Sequence, residues 1–517
     1  MICDLRALGI YQGGHILLLR LIAVNMKNVC CVLAVAWVVL VANSVFATDY
    51  HIKSQADFDK WKRHTFAAGD NIVFHRGKRF KGMFAPIGNG AKGAPIRIST
   101  AGDGGKPRID AGGEKTSGIF LQNPSFWEIS GLEITNTNGS SEDQGELFGI
   151  RVVANQNEGV FEHVYISNCY VHDINGNVAG KHRGGIHVQL RELEKSIFHD
   201  LRITNNRIED VGGVGIGNSS SAAKVIFSED SYKTAYLWTD VYVADNYVNR
   251  TGRNCIIARS SKDAIYERNT LANSSRYDTG HSIFCFGTDG IKIQYNEAYG
   301  NVGDGGMDRG GFDADFECVN TFIQYNYSHD NLWFCGIMKR PNRHVVIRYN
   351  LSVNDREGFY FYGFDAESDA RDVHIYNNTH FVGKQYQASV FPEGRTPVNS
   401  NFENNIFYFE GEGEWGKVKS GQGVTFRNNL YYGITPHPND TAPLTKDPKF
   451  RSAGKAPQDI DLAHMKELLG YQLRENSAAV KAGRKIKSGG GLTLEKEKAS
   501  YQTPNLGALG SRSGDPK

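Results

Sequence analysis

The 517-residue chain has few prolines, few cysteines and almost no net charge. Each of these shortages excludes some classes of protein. Its 58 glycines follow no three-residue period and accompany only 14 prolines, which excludes collagen. Hydrophobic residues make up 40% of the chain, and this excludes wholesale disorder because there is ample apolar material for a core. A formal net charge of +2 without a basic tract gives no indication of nucleic acid or an anionic membrane as partner.

Cysteines are sparse beyond residue 47. Their number there is odd and no Cys-x-x-Cys pair occurs, so the sequence indicates neither a disulfide framework nor a zinc site. We expect some of these thiols to pack as small hydrophobic side chains. The five are Cys169, Cys255, Cys285, Cys318 and Cys335.

The only long apolar run lies near the N-terminus. Met26-Lys27 precedes an apolar stretch over residues 29–41, and the small residues Ser44 and Ala47 follow it. This is the pattern of a signal peptide with its true start at Met26 and cleavage after Ala47. The run is short for a membrane span. We therefore predict a leader over residues 1–47 and a secreted or periplasmic protein without a membrane span once the leader is removed.

One short line of sequence recurs along the middle of the chain. It reads, for example, LRITNNRI (201–208), VYVADNYV (241–248) and VVIRYNLS (345–352). Apolar and polar residues alternate within each line, as they do in a strand. Ten such lines align at spacings of 23 to 40 residues, which favours a parallel β-helix of about ten to twelve coils over a helical solenoid or a β-sandwich.

About 40 asparagines are present, and nine of them stand in one column of this alignment. Asparagine tolerates the left-handed conformation of a tight bend, and stacked side-chain amides can hydrogen-bond from coil to coil. We therefore predict a buried asparagine ladder with left-handed bends at its members. These are Asn206, Asn246, Asn269, Asn296, Asn326, Asn350, Asn378, Asn405 and Asn429.

Segments at both ends of the repeat resemble one known group of proteins. AGDNIVF (68–74) and GAPIRI (93–98) resemble the entry segment of secreted right-handed parallel β-helix proteins of the pectate-lyase-like superfamily, and DPKF (447–450), YQLRENSAAVKAG (471–483) and NLGA (505–508) resemble their closing segment. The resemblance covers roughly residues 50 to 510 and implies an all-β, right-handed parallel β-helix. It also implies a polysaccharide partner, mainly acidic or sulfated, for a lyase, a hydrolase or a related protein.

These boundaries divide the chain into four parts. A leader over 1–47 precedes an N-terminal cap with the first coils over 48–125, the parallel β-helix over 126–435 and a closing segment over 436–517, in which residues 461–470 are expected to form a short helix. The long spacings predict loops at roughly 172–184 and 219–239. We expect a monomer.

A second strand precedes the asparagine strand in each coil and predicts which side chains face outward. Its first column is apolar from Ile186 to Val390 and includes Phe312, Phe334 and Phe359, so this column should face the core and the next one solvent. Stacked coils then form an open groove that suits a polymer. The outward residues relevant to binding are His187, Gln189, Arg259, Tyr360 and Tyr362, with Trp333 just upstream, and the aromatic ones are suited to stacking on sugar faces.

The run DGGMDRGGFDADFE (304–317) interrupts the repeat and is the sharpest candidate for chemistry. Asp313 and Asp315 are two apart on a strand, so they share one face at roughly 6.5–7 Å. This separation suits an inverting glycoside hydrolase, and their closeness raises one pKa and so supplies a proton donor. Asp304, Asp308 and Glu317 lie nearby and could bind calcium through oxygen ligands. The structural alternative is that these acids cap turns or pair with nearby cations.

Two other functions remain open from the sequence. A polysaccharide lyase needs a base and positive charge on the substrate carboxylate, and Lys339 and Arg340 fall outward one coil beyond the acids. A non-catalytic carbohydrate-binding surface protein needs the groove alone. Our first hypothesis is a glycoside hydrolase that uses Asp313 and Asp315.

Overall fold

The chain winds into a right-handed parallel β-helix, as a computed structural model shows. Every strand pairing between neighbouring coils is parallel, and successive coils add strands to three sheets. The predicted fold class is therefore confirmed. The structure describes residues 47–155, 159–176, 180–191, 195–220, 236–303, 308–338, 342–363, 370–392, 396–417, 421–460, 462, 466–486 and 505–509.

Three sheets form the sides of the β-helix. Sheet 1 has 15 strands: Asp49–Ile52, Asn71–His75, Ile96–Ala101, Trp127–Ser130, Val160–Ser167, Ile197–Thr204, Trp238–Ala244, Ser261–Lys262, Ile265–Glu267, Lys292–Gln294, Val319–Gln324, Arg343–Arg348, Arg371–Tyr376, Ser400–Glu403 and Thr425–Arg427. Sheet 2 has 13: Arg79–Lys81, Arg108–Asp110, Glu133–Asn136, Tyr170–Ile174, Arg207–Val211, Tyr247–Thr251, Thr270–Ala272, Glu297–Tyr299, Tyr327–His329, Leu351–Val353, Thr379–Val382, Ile406–Phe409 and Leu430–Tyr432. Sheet 3 has nine: Ser117–Gln122, Phe148–Ala154, Gly184–Leu190, Val214–Ser220, Ile256–Arg259, Ile283–Phe286, Gly310–Ala314, Trp333–Met338 and Gly358–Gly363.

Helices are few in the described part of the chain. An α-helix over Gln55–Trp61 starts with a capping box between Ser54 and Asp57, which satisfies two of its free backbone donors. A 3-10 helix over Lys466–Tyr471 overlaps the short helix predicted for residues 461–470. Within the described ranges no helix has both the length and the apolar character that a bilayer span requires.

The predicted asparagine column is a continuous hydrogen-bonded ladder. The backbone N–H and the Nδ2 of Asn326 both donate to Oδ1 of Asn350, at 2.9 and 3.0 Å, and Nδ2 also donates to the carbonyl of Ile293 at 2.9 Å. The other rungs repeat this pattern. At the last rung, the carboxylate of Asp440 accepts from the backbone N–H of Asn429 at 3.2 Å and from its Nδ2 at 2.9 Å.

The left-handed bend, however, lies one residue before each ladder asparagine. Arg268, Tyr295, Tyr325 and Tyr349 hold φ between 51° and 55°, which is uncommon for residues with large side chains. The prediction that the ladder asparagines themselves adopt this conformation is wrong. Their amides are buried to bond the next coil, while the preceding residues point outward, and Tyr325 stacks on Tyr295 and Tyr349 at ring distances of 5.2 and 5.1 Å.

The five cysteines beyond residue 47 are buried and unbridged, as the sequence predicts for small hydrophobic side chains. Burial raises the pKa of Cys169 to about 11 and that of Cys255 to about 12. Both thiols are therefore protonated at neutral pH and unreactive.

The predicted orientation of sheet 3 is wrong in its last two coils. Phe312 pairs with Cys335 and not with Phe334, and Cys335 pairs with Tyr360. In these two strands the phenylalanine that precedes this position, Phe334 or Phe359, also faces the core, so each strand has two consecutive interior residues. This shifts the alignment by one residue, so Tyr360 and Tyr362 face the core instead of the groove.

Candidate active site

The outer face of sheet 3 carries the predicted acids. Asp313 lies on the strand Gly310–Ala314, opposite Phe284 in one neighbouring coil and Gly336 in the other. The alternate residues Phe312 and Ala314 enter the core, so the period of two places Asp313 outside. Its side chain is nevertheless only 2% exposed, which makes the predicted fully open position wrong for this residue.

Asp308, Asp313, Asp315 and His281 form one group, which we call the acidic cluster. Nε2 of His281 lies 3.4 Å from Oδ2 of Asp313 and 3.8 Å from Oδ1 of Asp308. The side chain of Asp308 is 28% exposed, and Asp315, just past the end of the strand, is half-buried. A molecule on the outer face therefore meets Asp308 and Asp315 before it meets Asp313.

His281 is neutral in this setting. Burial lowers its pKa to about 4, against the opposite effect of the Asp308 charge. Its Nδ1 accepts a hydrogen bond from the backbone N–H of Gly310 at 3.1 Å, so the proton of the neutral ring resides on Nε2. The imidazole therefore presents an N–H to the carboxyls of Asp308 and Asp313.

Two carboxyls of the cluster, Asp313 and Asp315, have raised pKa values. Burial raises the pKa of Asp313 well above its ordinary range, and the nearby charges of Asp315 and Asp308 raise it further. Burial also raises the pKa of Asp315 to about 6, although the ammonium of Lys181 opposes this. The cluster thus contains one carboxyl whose pKa is raised well above its ordinary range and one whose pKa is about 6, the behaviour expected of groups that transfer protons.

Three cations surround the acids, and we call Lys181, Arg253 and Arg259 the cationic rim. Nζ of Lys181 lies 4.9 Å from the ring centre of Phe284, and the Arg259 guanidinium lies 5.9 Å from it. Burial and the charge of Arg253 lower the pKa of Lys181, whereas Asp315 and Asp308 raise it. The rim can neutralise an acidic sugar or the charge that develops in a reaction.

Four buried polar atoms at this place have no hydrogen-bond partner among the described residues: Nε2 of His281, Oδ1 of Asp313, Nε1 of Trp333 and Nε of Arg309. Buried polar groups are usually paired, so a group of unpaired ones calls for an explanation. A Cβ at Gly310 would lie 2.8 Å from both Nδ1 of His281 and Nε1 of Trp333, and a Cβ at Gly336 would lie 2.5 Å from Oδ1 of Asp313. Glycine at both positions leaves space for these polar groups and for a bound hydroxyl or water.

Most of the predicted sugar-binding residues are covered. His187 and Gln189 lie on the outer face of sheet 3 but are 2% exposed, and Tyr360, Tyr362 and Trp333 are fully buried. The prediction that these five are accessible is wrong. Tyr360 and Tyr362 are buried because the alignment of their strand is shifted by one residue. Their hydroxyls therefore reach His380 and Ser400 inside the β-helix.

The other three lie on the outer face. His187 packs on Phe148, and burial lowers its pKa to about 3. Gln189 accepts a hydrogen bond from Arg151 at 3.1 Å. Trp333 stacks on Phe361 with ring centres 4.6 Å apart and borders the acidic cluster at Gly310.

Arg259 is half-buried, as a groove residue requires. Lys339, Arg340 and Asp304 lie outside the described residues, so their predicted roles remain predictions. Asp308 belongs to the acidic cluster. The predicted calcium site of Asp304, Asp308 and Glu317 stays a prediction, because one of its three acids, Asp304, lies outside the described residues.

Sequence reasoning missed His281, Lys181 and Arg253. All three lie in the turns that lead into sheet 3, outside the aligned strands, so strand periodicity carries no signal for them. The long spacing that predicted a loop at 172–184 was a signal for Lys181, because an inserted loop beside a groove often reaches over it.

Known proteins share the fold of this chain. No protein-family model matches it. An alignment of 554 positions gives 26% identity to a lacto-N-biosidase of Bifidobacterium longum subsp. longum. The alignment covers 86% of this chain and 34% of that protein. The chain thus spans about a third of the length of this curated relative.

Two solved structures of a GH136 lacto-N-biosidase from Eubacterium ramulus are similar to it, each at 18% sequence identity. The selenomethionine derivative has a TM-score of 0.54 and covers 81% of this chain and 72% of that one. The native protein has a TM-score of 0.52 and covers 77% and 67%. These comparisons confirm the predicted β-helix and support the prediction of a carbohydrate-active enzyme.

Proposed function

We propose that this protein is a glycoside hydrolase with lacto-N-biosidase-like activity, and that Asp308 and Asp315 are its catalytic pair. The observation that carries the proposal is the acidic cluster. Two accessible carboxyls flank a buried third one on the outer face of a fold shared with a lacto-N-biosidase. Hydrolysis of a glycosidic bond needs two carboxyl groups on opposite sides of that bond.

This pair differs from the pair Asp313 and Asp315 that the sequence suggests. Asp313 is 2% exposed, so a pyranose ring has no access to its carboxyl. Its protonated side chain is better suited to a positioning role next to His281. Asp308, which is 28% exposed, and Asp315, which is half-buried, are more exposed than Asp313, and this favours them for direct contact with the substrate.

The roles follow from protonation. With a pKa of about 6, Asp315 is partly protonated near neutral pH and can give its proton to the glycosidic oxygen as that bond breaks. Asp308 then acts as the second carboxylate, which either removes a proton from the attacking water or bonds to the anomeric carbon until water replaces it. The Nε2 of His281 lies 3.8 Å from Oδ1 of Asp308, beyond hydrogen-bond distance, so its N–H acts on this carboxylate by electrostatic attraction alone.

The test is hydrolysis by the purified full-length protein. Substrates are the p-nitrophenyl glycoside of lacto-N-biose, p-nitrophenyl glycosides of single sugars, and uronate-containing and sulfated polysaccharides. We expect release of p-nitrophenol from the lacto-N-biose substrate alone. Turnover of a different glycoside would mean that the proposed substrate is wrong but that the protein is still a glycoside hydrolase. Retention on polysaccharide gels without turnover of any substrate would favour the binding-only alternative instead.

The cationic rim favours one other reaction, elimination across a uronic acid. Positive charge must stabilise the enolate-like intermediate, and a base must take the proton next to the carboxylate. Lys181, whose pKa is lowered by burial and by Arg253, is a candidate base. A rise in ultraviolet absorbance from an unsaturated product, without release of p-nitrophenol, would establish this reaction and exclude the hydrolase.

The pH profile is expected to follow Asp315. If Asp315 donates the proton, kcat/KM falls as pH rises through about 6, because its carboxyl then ionises. Lys181 favours the ionised form, so Lys181→Gln should raise the pKa and move this descending limb to higher pH. Lys262→Gln, an exposed lysine on sheet 1, is the matched control and should leave the limb in place. A limb that does not move in Lys181→Gln would contradict the assignment of Asp315 as the acid.

We also propose that the chain is exported and cleaved after Ala47. Its support is the charged start, apolar run and small residues over 26–47. Mass spectrometry of protein recovered outside the cytoplasm should find Thr48 at the N-terminus, and Ala47→Arg should abolish that cleavage. An intact N-terminus in the exported protein would overturn the assignment. Light scattering of the same sample checks the expected monomer.

A further inference from the structure

We propose that His344, Asp372 and His374, on the outer face of sheet 1, form a binding site for a divalent transition-metal ion such as Zn²⁺. Nδ1 of His344 lies 2.5 Å from Oδ2 of Asp372, and Nε2 of His374 lies 2.5 Å from Oδ1 of the same carboxylate. One ligand atom from each residue lies within 4.8 Å of the other two. Two imidazoles and one carboxylate are ligands that zinc and its neighbours prefer.

The backbone brings the three side chains together by its register. Arg343 pairs with Arg371 and Val345 with Val373, so His344 and Asp372 stand side by side in neighbouring coils. Both hold a left-handed backbone, with φ of 59° and 58°, which turns the two side chains toward each other. His374 is two residues further along the strand of Asp372 and therefore shares its face.

An equivalent corner earlier in the β-helix has the same histidine and aspartate but different neighbouring side chains. There His163 and Asp200 hold the same left-handed backbone, with φ of 54° and 58°, and Nδ1 of His163 lies 3.0 Å from Oδ2 of Asp200. Two residues beyond Asp200 stands Arg202, and its Nε donates to Oδ1 of Asp200 at 2.9 Å. Tyr165 also donates its hydroxyl to this carboxylate, at 2.8 Å.

At the corner formed by His344, Asp372 and His374, other residues occupy the positions of these donors. His374 stands where the earlier corner has Arg202, and Val346, which pairs with His374, stands where the earlier corner has Tyr165. A guanidinium can only donate hydrogen bonds, whereas an imidazole offers a lone pair. The exchange therefore removes a permanent cation and a hydroxyl donor from the carboxylate and adds a second nitrogen ligand.

The pattern of hydrogen bonds agrees with a site for a metal ion. The Nδ1 of His344 is buried and, despite its short distance to Asp372, lacks the alignment for a hydrogen bond. Asp372 is 43% exposed, while the two histidines are 21–23% exposed, so an ion can enter from solvent. Three protein ligands leave at least one coordination position open for water or for a hydroxyl or carboxylate of another molecule.

The test is Co²⁺ and Zn²⁺ binding to the chelator-treated, tag-free protein. We expect one Co²⁺ per chain to give a visible absorption band that Zn²⁺ abolishes by displacement. His374→Arg should remove the band, and because it copies the arrangement around Arg202, it should fold normally, which circular dichroism checks. His163→Ala is the matched control at the equivalent corner and should leave the band unchanged.

Two results would overturn the site. Either the band persists in both His374→Arg and His344→Ala, which places Co²⁺ on other histidines, or the wild-type chain binds no Co²⁺ at equimolar concentration. Neither result depends on the glycosidase assay, since the site lies on a different sheet from the acidic cluster.

Discussion

Asp315→Asn is expected to lower the rate of glycoside hydrolysis by about 10²- to 10⁴-fold, the usual contribution of a general acid. Asparagine has nearly the same shape as aspartate but cannot give a proton to the glycosidic oxygen. The loss should appear mainly in kcat, because the amide still fills the site and substrate binding is retained. Steady-state kinetics on a lacto-N-biose glycoside with a sugar leaving group measure it, because p-nitrophenolate departs with little help from an acid.

Substitution of the other acids in the cluster tests which two carboxyls form the catalytic pair. Asp308→Asn should be as damaging as Asp315→Asn, whereas Asp313→Asn should keep more activity because Asp313 does not reach the substrate. Asp263→Asn is the matched control: Asp263 is an exposed carboxylate in the left-handed region at the edge of sheet 1, and asparagine tolerates that conformation. Loss of turnover in Asp313→Asn with normal turnover in Asp308→Asn would instead establish Asp313 and Asp315 as the pair.

Asn326→Ala is expected to lower the free energy of unfolding by about 3–5 kcal/mol, an estimate from about 1–3 kcal/mol for each buried polar group left without a partner. The change deprives three groups of a partner. The carbonyl of Ile293 loses a donor, and the backbone N–H and Nδ2 of Asn296 lose the Oδ1 that accepts both. Calorimetry and denaturant unfolding measure the change.

Asn401→Ala is the control for this effect. Asn401 is half-buried on sheet 1 outside the ladder, and its Oδ1 accepts one hydrogen bond from Thr425 at 2.6 Å. Its loss should cost about 1 kcal/mol. Equal destabilisation by the two substitutions would mean that the ladder contributes no more than an ordinary surface hydrogen bond.

The fold could be predicted from the sequence because the repeat fixes one buried polar column. Each ladder asparagine must occupy the same corner, so nine aligned residues set the rise of the chain without knowledge of the loops. The conformation at that corner could not be predicted in the same way. Tyr325 and Arg268 adopt the left-handed bend although neither favours it, because the following asparagine is required for the ladder and the chain must turn somewhere.

The candidate site could be predicted only in part. The acidic run was recognisable because Asp313 and Asp315 interrupt the repeat. The inward orientation of Tyr360 could not be predicted from the sequence. In two strands of sheet 3 a phenylalanine precedes the first residue of the aligned apolar column and is easily mistaken for it. His281 was hidden because its turn, at the entry to sheet 3, is set by tertiary contacts such as the hydrogen bond from Asn254 to its carbonyl.

The ladder also has a polarity, which limits how a solenoid of this kind can be shortened or extended. Every rung donates toward the C-terminal end, so the final donors always need an acceptor, and Asp440 supplies it. A deletion that runs from one ladder asparagine to the next removes a whole coil and preserves this polarity. A truncation before Asp440 leaves the backbone N–H of Asn429 without an acceptor and removes one of the two acceptors of its Nδ2, which still donates to the carbonyl of Phe402. Modular redesign of this scaffold should therefore treat the coils as interchangeable and the terminal carboxylate as fixed.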